Sequence, residues 1–350
     1  MTLQIIENAS LKALNSFGVE ARARRLLTLD DAADVDRALE AIAGEPRVLV
    51  LGGGSNLLLA NDFDGTVLRV ALRGRRIVEQ GTADRPTLVE AAAGENWHAF
   101  VGWTLDQGLA GLENLSLIPG TVGASPIQNV GAYGVEMVDR FDSLLAIHRG
   151  SGERRRFEAR DCRFGYRDSL FKHPDGRDWL ILSVRFRLAR ASDHVPVLDY
   201  GELRDELAAR GSPAPLQVAR AVIAIRRRKL PDPALLGNAG SFFRNPVVDR
   251  GTAEALAERH PGLPRYPADA RARAIGDADE VKLSAAWLID RCGWKGYRDG
   301  DAGVHARHAL VLVNHGSATG AQLLALAERI ARSVRERFGV LLEPEPTIVR

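Results

Sequence analysis

The chain has 350 residues, 45% of them hydrophobic and 26% charged, a composition typical of a globular protein with two or three domains. Its 47 basic and 45 acidic residues leave a net charge of +2, which argues against general nucleic-acid binding. The two cysteines make no disulfide framework, and no stretch approaches the roughly 20 apolar residues of a membrane span. The first 14 residues lack a signal-peptide pattern. We therefore expect a cytoplasmic protein without membrane insertion or a nucleic-acid partner.

The first glycine-rich segment, Gly52-Gly-Gly-Ser-Asn56, lies between predicted strands at 47–51 and 57–59. A helix is predicted before them, over 29–42. Successive backbone N–H groups in such a turn form a concavity that suits a pyrophosphate. Leu57 stands where the dinucleotide fingerprint needs its third glycine, and no Walker Gly-Lys-Ser/Thr follows. A plain hairpin turn is the alternative interpretation.

A second segment, Ile118–Gly134, contains four glycines and no charged residue. Its backbone could approach an aromatic ring system closely, with Thr121, Ser125 and Asn129 among its directional polar groups. This pattern favours a cofactor bed, with a loop-rich domain interface as the alternative.

Two cations stand out further along the chain. Arg167, next to Tyr166, could hold a carboxylate with both arms of its guanidinium, although a surface ion pair with Asp168 is the alternative. Lys229 ends a predicted helix over 218–230. A solvated helix end is the simplest interpretation of this position, and a phosphate contact is the functional one.

Ser241 lies in the segment Gly237-Asn-Ala-Gly-Ser-Phe-Phe-Arg-Asn-Pro246. Its hydroxyl could serve as nucleophile, phosphate contact or proton donor, and no Gly-x-Ser-x-Gly elbow supports a hydrolase. Glu345 could act as a general acid or base. His305-x-x-His308 lacks a third ligand pattern, so no metal site is predicted. A helix is predicted over 319–338, with Thr319 as its cap.

Taken in order, these segments resemble the UDP-N-acetylenolpyruvoylglucosamine reductase (MurB) family. Each motif is weak by itself, but their order over nearly the whole chain is specific. The segment 198–203 resembles the first type of the family, which carries a tyrosine-bearing loop over the substrate. The matching segments are 14–17, 52–56, 118–134, 166–169, 229–233, 237–246, 286–290 and 342–345.

The resemblance implies an α+β fold with a two-subdomain FAD-binding part of the vanillyl-alcohol-oxidase/p-cresol-methylhydroxylase (VAO/PCMH) type, followed by an α+β substrate-binding domain. The implied FAD-binding subdomains are 1–72, to which 343–350 returns, and 73–215. The implied substrate-binding domain is 216–342.

The resemblance also implies the activity: NADPH reduces FAD, and the flavin reduces the enolpyruvyl group of UDP-N-acetylglucosamine-enolpyruvate to UDP-N-acetylmuramate in peptidoglycan synthesis. Ser241 would donate the proton, Arg167 would hold the substrate carboxylate, and Glu345 would be the accompanying acid. The implied FAD contacts are Gly52, Gly53, Gly54, Ser55, Asn56, Pro119, Gly120, Gly123, Ala124 and Ser125. The implied substrate contacts are Tyr200, Lys229, Asn245, Tyr266 and His308.

The chain departs from the family pattern at two places. His308 stands where the family often has glutamine, and Pro346 follows Glu345 close to the end of the sequence. A sugar or alcohol oxidase with the same cofactor fold is an alternative, although the two glycine-rich segments contain no histidine that could tether a flavin. A nucleotide-sugar-binding regulator is another, against which Ser241, Arg167 and Glu345 argue. We expect a monomer that acts on a small nucleotide sugar.

Overall fold

A computed structural model describes residues 3–208, 211–268 and 279–350. The chain forms two compact units. The first unit comprises Met1–Ala9, Ala23–Gly53 and Asp64–Arg228, and the second comprises Ser10–Arg22, Gly54–Phe63 and Lys229–Arg350. Within the described residues, no helix is both long and apolar enough to cross a membrane.

The described helices are Val35–Ile42 (α1), Trp97–Asp106 (α2), Gly201–Leu207 (α3), Pro215–Lys229 (α4), Arg250–Arg259 (α5), Ala285–Arg291 (α6) and Gly320–Phe338 (α7). The described strands are Gln4–Ser10 (β1), Arg22–Leu29 (β2), Val48–Leu51 (β3), Leu57–Leu59 (β4), Phe63–Val70 (β5), Arg75–Glu79 (β6), Thr87–Ala92 (β7), Leu109–Ala110 (β8), Gly131–Ala132 (β9), Val135–Glu136 (β10), Phe141–His148 (β11), Arg154–Glu158 (β12), Trp179–Arg190 (β13), Gly237–Asn238 (β14), Val247–Asp249 (β15), Arg265–Pro267 (β16), Glu280–Leu283 (β17), Arg298–Asp299 (β18), Ala302–Val304 (β19), Leu312–Asn314 (β20) and Thr347–Val349 (β21).

The first unit contains two larger sheets, with strand orders β1-β2-β5-β3 and β12-β11-β13-β7-β6. In β7 buried positions alternate with partly exposed ones, as expected for a strand with one face on the core. Helix α2 packs Trp97 and Phe100 against Phe186 of the long strand β13, with ring centroids 5.9 and 5.3 Å from it. Asn96 caps this helix by accepting a hydrogen bond from the Ala99 N–H.

The second unit contains the antiparallel sheets β14-β20-β19-β18 and β15-β17-β16, and β21 pairs in parallel with β4. Its long helix α7 begins at a capping box, in which Thr319 and Gln322 bind each other's backbone N–H. Gly339 ends the helix with a φ of +71°, a conformation that glycine adopts without strain. The cap predicted at Thr319 is therefore confirmed.

Two predictions, one for the first glycine-rich segment and one for the helix before it, are wrong. The helix predicted from Leu29 begins at Val35, because Leu29 closes strand β2 and Asp31 caps a single 3-10 turn first. The hairpin alternative for Gly52–Asn56 also fails, since β3 pairs with β5 whereas β4 pairs with β21. The predicted division into three domains stays a prediction.

Candidate active site

In the first unit, two glycine-containing segments lie backbone against backbone. A Cβ atom added to Gly53 would lie 2.9 Å from the Cα of Gly120, and one added to Gly52 would lie 2.6 Å from the hydroxyl oxygen of Thr121. Because a Cβ atom does not approach backbone so closely, the contact at Gly53 itself requires glycine. The sequence pattern suggested only an approach to a ligand.

Several backbone N–H groups of these two segments have no protein acceptor within the described part of the chain. Among the described residues, the N–H groups of Gly52, Gly53, Gly120 and Thr121 donate to no protein acceptor. Successive backbone N–H groups without a protein acceptor can bind phosphate oxygens. These residues therefore fit the pyrophosphate of a dinucleotide cofactor such as FAD.

Several polar side chains of the second glycine-rich segment are used to hold its own shape. Ser125 is almost fully buried, and its hydroxyl donates to the carbonyl of Val122 at 2.7 Å. The buried amide of Asn129 donates to the Glu136 carboxylate at 2.8 Å and to the Gly165 carbonyl at 3.1 Å. Asn129 therefore ties this segment to the turn that carries Arg167.

Arg167 has an uncommon backbone φ of +54°, and its guanidinium donates to the Gly131 carbonyl at 2.6 Å. The same group lies 5.2 Å from the centre of the Tyr166 ring. The Asp168 carboxylate lies 2.9 Å from His173. The guanidinium of Arg167 is thus bound to the second glycine-rich segment.

Tyr200 is 46% exposed and lies edge-on to Tyr133, with ring centroids 5.1 Å apart. Tyr133 contacts Arg226, which also donates to the Leu117 carbonyl at 3.2 Å. Burial raises the pKa of the Tyr133 phenol and lowers that of the Arg226 guanidinium. Tyr133 and Arg226 are not among the site residues predicted from the sequence, although Tyr133 lies beside Gly134 in the second glycine-rich segment.

In the second unit, the segment around Ser241 is held at both ends. On one side the buried Asn238 amide donates to the carbonyls of Pro231 and Leu236 and accepts from the Gly240 N–H. On the other side Phe242 is fully buried, and its N–H donates to the Leu310 carbonyl at 2.8 Å. The half-buried Ser241 therefore sits on a fixed backbone between two anchors.

The C-terminal segment brings Glu345 to the residue that follows Ser241. The Glu345 N–H donates to the Phe242 carbonyl at 2.9 Å, and Phe243 forms an isolated β-bridge with Pro344. The Glu345 carbonyl in turn accepts a hydrogen bond from the Asn56 side chain at 3.3 Å. Two predicted site residues that lie about 100 positions apart, Ser241 and Glu345, thus share one backbone arrangement, and Asn56 supports it.

The remaining predicted residues of the second unit have separate settings. The Asn245 side-chain oxygen accepts from the Ala285 N–H at the start of α6, at 3.0 Å. Tyr266 lies in β16 and is 46% exposed. Lys229 is close enough to His308 for its charge to act on that imidazole. Among the described residues, no group of three or more His, Cys, Asp or Glu side chains could hold a metal.

Comparison with known proteins decides the family. A curated UDP-N-acetylenolpyruvoylglucosamine reductase from Pseudomonas aeruginosa is 58% identical over 99% of this chain and 100% of its own length. The chain belongs to the UDP-N-acetylenolpyruvoylglucosamine reductase family. The enzyme of the same name from Chromobacterium violaceum is 55% identical over the full length of both chains.

Two domain profiles and a solved structure agree with this membership. The FAD binding domain profile matches residues 23–158, and the profile of the C-terminal domain of UDP-N-acetylenolpyruvoylglucosamine reductase matches residues 232–349. The crystal structure of the reductase (MurB) from Thermus caldophilus covers 100% of both chains, with a TM-score of 0.66 and 25% identity. The predicted family, fold class, flavin cofactor and oxidoreductase class are confirmed. The roles of the individual site residues stay predictions.

His308, the departure from the family pattern, leads to a prediction about pH. Burial, followed by the charges of Lys229, His305 and Lys295, lowers its pKa below the usual value. The folded state therefore binds fewer protons at this site than the unfolded state. The stabilisation that results is fully present above the ordinary histidine pKa, and it is lost as the pH falls from that value through the lowered pKa of the folded state. We expect His308→Gln, which removes this titration, to lose less thermal stability than the unsubstituted protein between pH 7.5 and pH 5.5. Equal losses in the two proteins would contradict the prediction.

Proposed function

We propose that this chain is an NADPH-dependent flavoenzyme that reduces UDP-N-acetylglucosamine-enolpyruvate to UDP-N-acetylmuramate for peptidoglycan synthesis in the cytoplasm. The observation that carries the proposal is the backbone pairing between Glu345 and Phe242, which sets an acid beside the segment of Ser241. The names of the relatives support the same substrate. The glycine turn with unpaired N–H groups supports the cofactor.

FAD, when bound, supplies the site with an acceptor for the hydride of NADPH and a donor of that hydride to the alkene. The protein must then stabilise the negative charge that develops on the enolpyruvyl carboxylate. We assign this task to Arg167, because a guanidinium can bind both carboxylate oxygens. Its bond to the Gly131 carbonyl holds it beside the second glycine-rich segment.

Ser241 is assigned to deliver the proton to the carbon next to that carboxylate. Overall, one hydride from NADPH and one proton add across the double bond, which becomes a single bond, and NADP+ leaves. A serine hydroxyl is a weak acid, so it needs a basic acceptor and a fixed orientation. The anchors at Asn238 and Phe242 give that orientation to the backbone, and Glu345 would polarise the developing enolate.

The substrate also carries a pyrophosphate and a sugar that must be held while the proton moves. We assign Lys229 to the phosphates and Asn245 to the same end of the substrate. Tyr200 and Tyr266 are each 46% exposed, so a ligand can cover their rings. His308 is assigned to the substrate as a neutral side chain, because burial lowers its pKa.

The proposal is tested with the purified protein under anaerobic conditions. We expect a flavin absorbance spectrum, bleaching on addition of NADPH, and return of the oxidised spectrum on addition of UDP-N-acetylglucosamine-enolpyruvate. A flavin that stays attached after denaturation and is reoxidised only by oxygen would support the oxidase alternative. A colourless protein that binds the nucleotide sugar would support the regulator alternative and overturn the proposal.

A further inference from the structure

Glu113 and Asn114 are two adjacent polar residues of the first unit that the proposed mechanism does not use. They form one 3-10 turn with Leu115, just before the second glycine-rich segment. Each is only 1% exposed. Burying a polar side chain costs free energy unless it finds a hydrogen-bond or ion-pair partner. The partners of Glu113 and Asn114 therefore indicate why these side chains are buried.

Both side chains bind the segment that leads to Tyr200. The Glu113 carboxylate lies 2.6 Å from Nε2 of His194, and the histidine side chain is 5% exposed. The Asn114 amide nitrogen donates to the carbonyl of Val197 at 2.9 Å and to that of Tyr133 at 2.8 Å. One amide group therefore links the backbone of Tyr133 to the backbone three residues before Tyr200.

The Glu113 carboxylate is held in its charged form. Burial raises its pKa, but the interaction with His194 and the hydrogen bond from the Gly111 N–H together bring the pKa below the usual value. That hydrogen bond measures 2.6 Å. The group that contacts His194 is thus a buried, charged carboxylate and not a solvated surface residue.

The segment 194–198 has few other means of support. Among the described residues its backbone N–H groups donate to no protein acceptor, and its polar contacts are those made to Glu113 and Asn114. Val195 is 83% exposed. Val197 and Leu198 pack at the edges of the unit's apolar clusters. A segment with so few backbone hydrogen bonds opens locally at low cost, so the two anchors decide where it lies.

We propose that Glu113 and Asn114 are positioning residues that fix the segment 194–198 and thereby place the Tyr200 ring against Tyr133, ready to cover the substrate. The inference rests on the proposed substrate contact of Tyr200. It adds that the ordered position of this tyrosine is set from the turn that precedes the flavin-binding segment. Preorganisation of this kind lowers the ordering cost that substrate binding would otherwise carry.

The test is a double-mutant cycle in the FAD-loaded enzyme. Asn114→Asp keeps the size of the side chain but replaces by an oxygen the NH2 group that makes both hydrogen bonds. We expect it to raise the KM for UDP-N-acetylglucosamine-enolpyruvate by about tenfold, the effect of losing two hydrogen bonds, and to leave flavin reduction by NADPH within about twofold of wild type. Asp193→Asn, in the exposed ion pair with Arg190 of the same loop, is the matched control and should leave the KM unchanged.

The Tyr200→Ala background separates positioning from a general structural role. If Asn114 acts through Tyr200, Asn114→Asp changes the KM less than twofold in that background, because contacting or coupled residues are non-additive. A tenfold effect that persists there, or an unchanged KM in the single variant, overturns the positioning role. A Tyr200→Ala single variant with wild-type KM overturns the substrate contact of Tyr200 itself and, with it, the inference.

A second variant guards against loss of the fold. If Asn114→Asp fails to retain flavin, His194→Gln replaces it in the same cycle, since His194 makes the contact with Glu113. We expect a smaller rise in KM, about threefold for one weakened polar contact, that again vanishes in the Tyr200→Ala background. A full rise in that background counts against the proposal in the same way.

Discussion

Ser241→Ala should leave flavin reduction by NADPH within about twofold of wild type, while reoxidation by the enolpyruvyl substrate slows by about 10²- to 10⁴-fold, the usual range for a lost general acid. The physical reason is that the two half-reactions need different groups. Hydride transfer from NADPH involves no proton delivered to substrate carbon, whereas saturation of the alkene does. Stopped-flow absorbance of the flavin separates the two steps.

The substitution is well suited to this test because the Ser241 backbone does not depend on the hydroxyl. Asn238 and Phe242 hold the segment through backbone groups and an amide side chain. Ser317→Ala, which removes an exposed hydroxyl bonded to Asp301 in the same unit, is the control and should alter neither half-reaction. Equal slowing of both half-reactions by Ser241→Ala would indicate damage at the flavin and would contradict the role of proton donor.

Local sequence signals are sufficient to predict an element whose end carries a capping residue. The helix α7 was predicted because Thr319 is followed by an amphipathic pattern, and the observed capping box confirms its start. Leu29 was assigned to a helix and lies in a strand, because a short apolar run fits both periodicities. Asp31 caps only a short 3-10 turn, and helix α1 follows that turn.

The candidate site was predictable as a set of residues and not as an arrangement. The order of the motifs shared with the family indicates Ser241 and Glu345 as site residues. The residues around Glu345 do not indicate that its backbone pairs with that of Phe242. Such a contact joins positions about 100 residues apart and depends on where β21 enters its sheet. Asn114 was missed for the same reason, because its partners Tyr133 and Val197 are 19 and 83 positions away.

Gly53→Ala is the second prediction with a large expected effect, because it tests why the first glycine turn is glycine. The added methyl group would lie 2.9 Å from the Cα of Gly120, and backbone cannot move aside as a flexible side chain can. The segment of Gly120 and Thr121 would have to shift, and the unpaired N–H groups of the two segments would change their relative positions. We expect FAD affinity to fall at least tenfold, a loss of about 1.4 kcal/mol.

The matched control is Gly102→Ala, because Gly102 lies inside helix α2 and an added Cβ would meet nothing within 4 Å. Alanine is the better helix former by up to about 1 kcal/mol, so this variant should bind FAD normally and melt slightly higher. Reconstitution of both apoproteins with FAD, followed by flavin fluorescence, compares the affinities directly. If Gly53→Ala binds FAD as tightly as Gly102→Ala, the close approach of the two segments does not form the cofactor site. The unpaired N–H groups of Gly52, Gly53, Gly120 and Thr121 would then have to serve another ligand, because a shift of their backbone would leave the flavin unaffected.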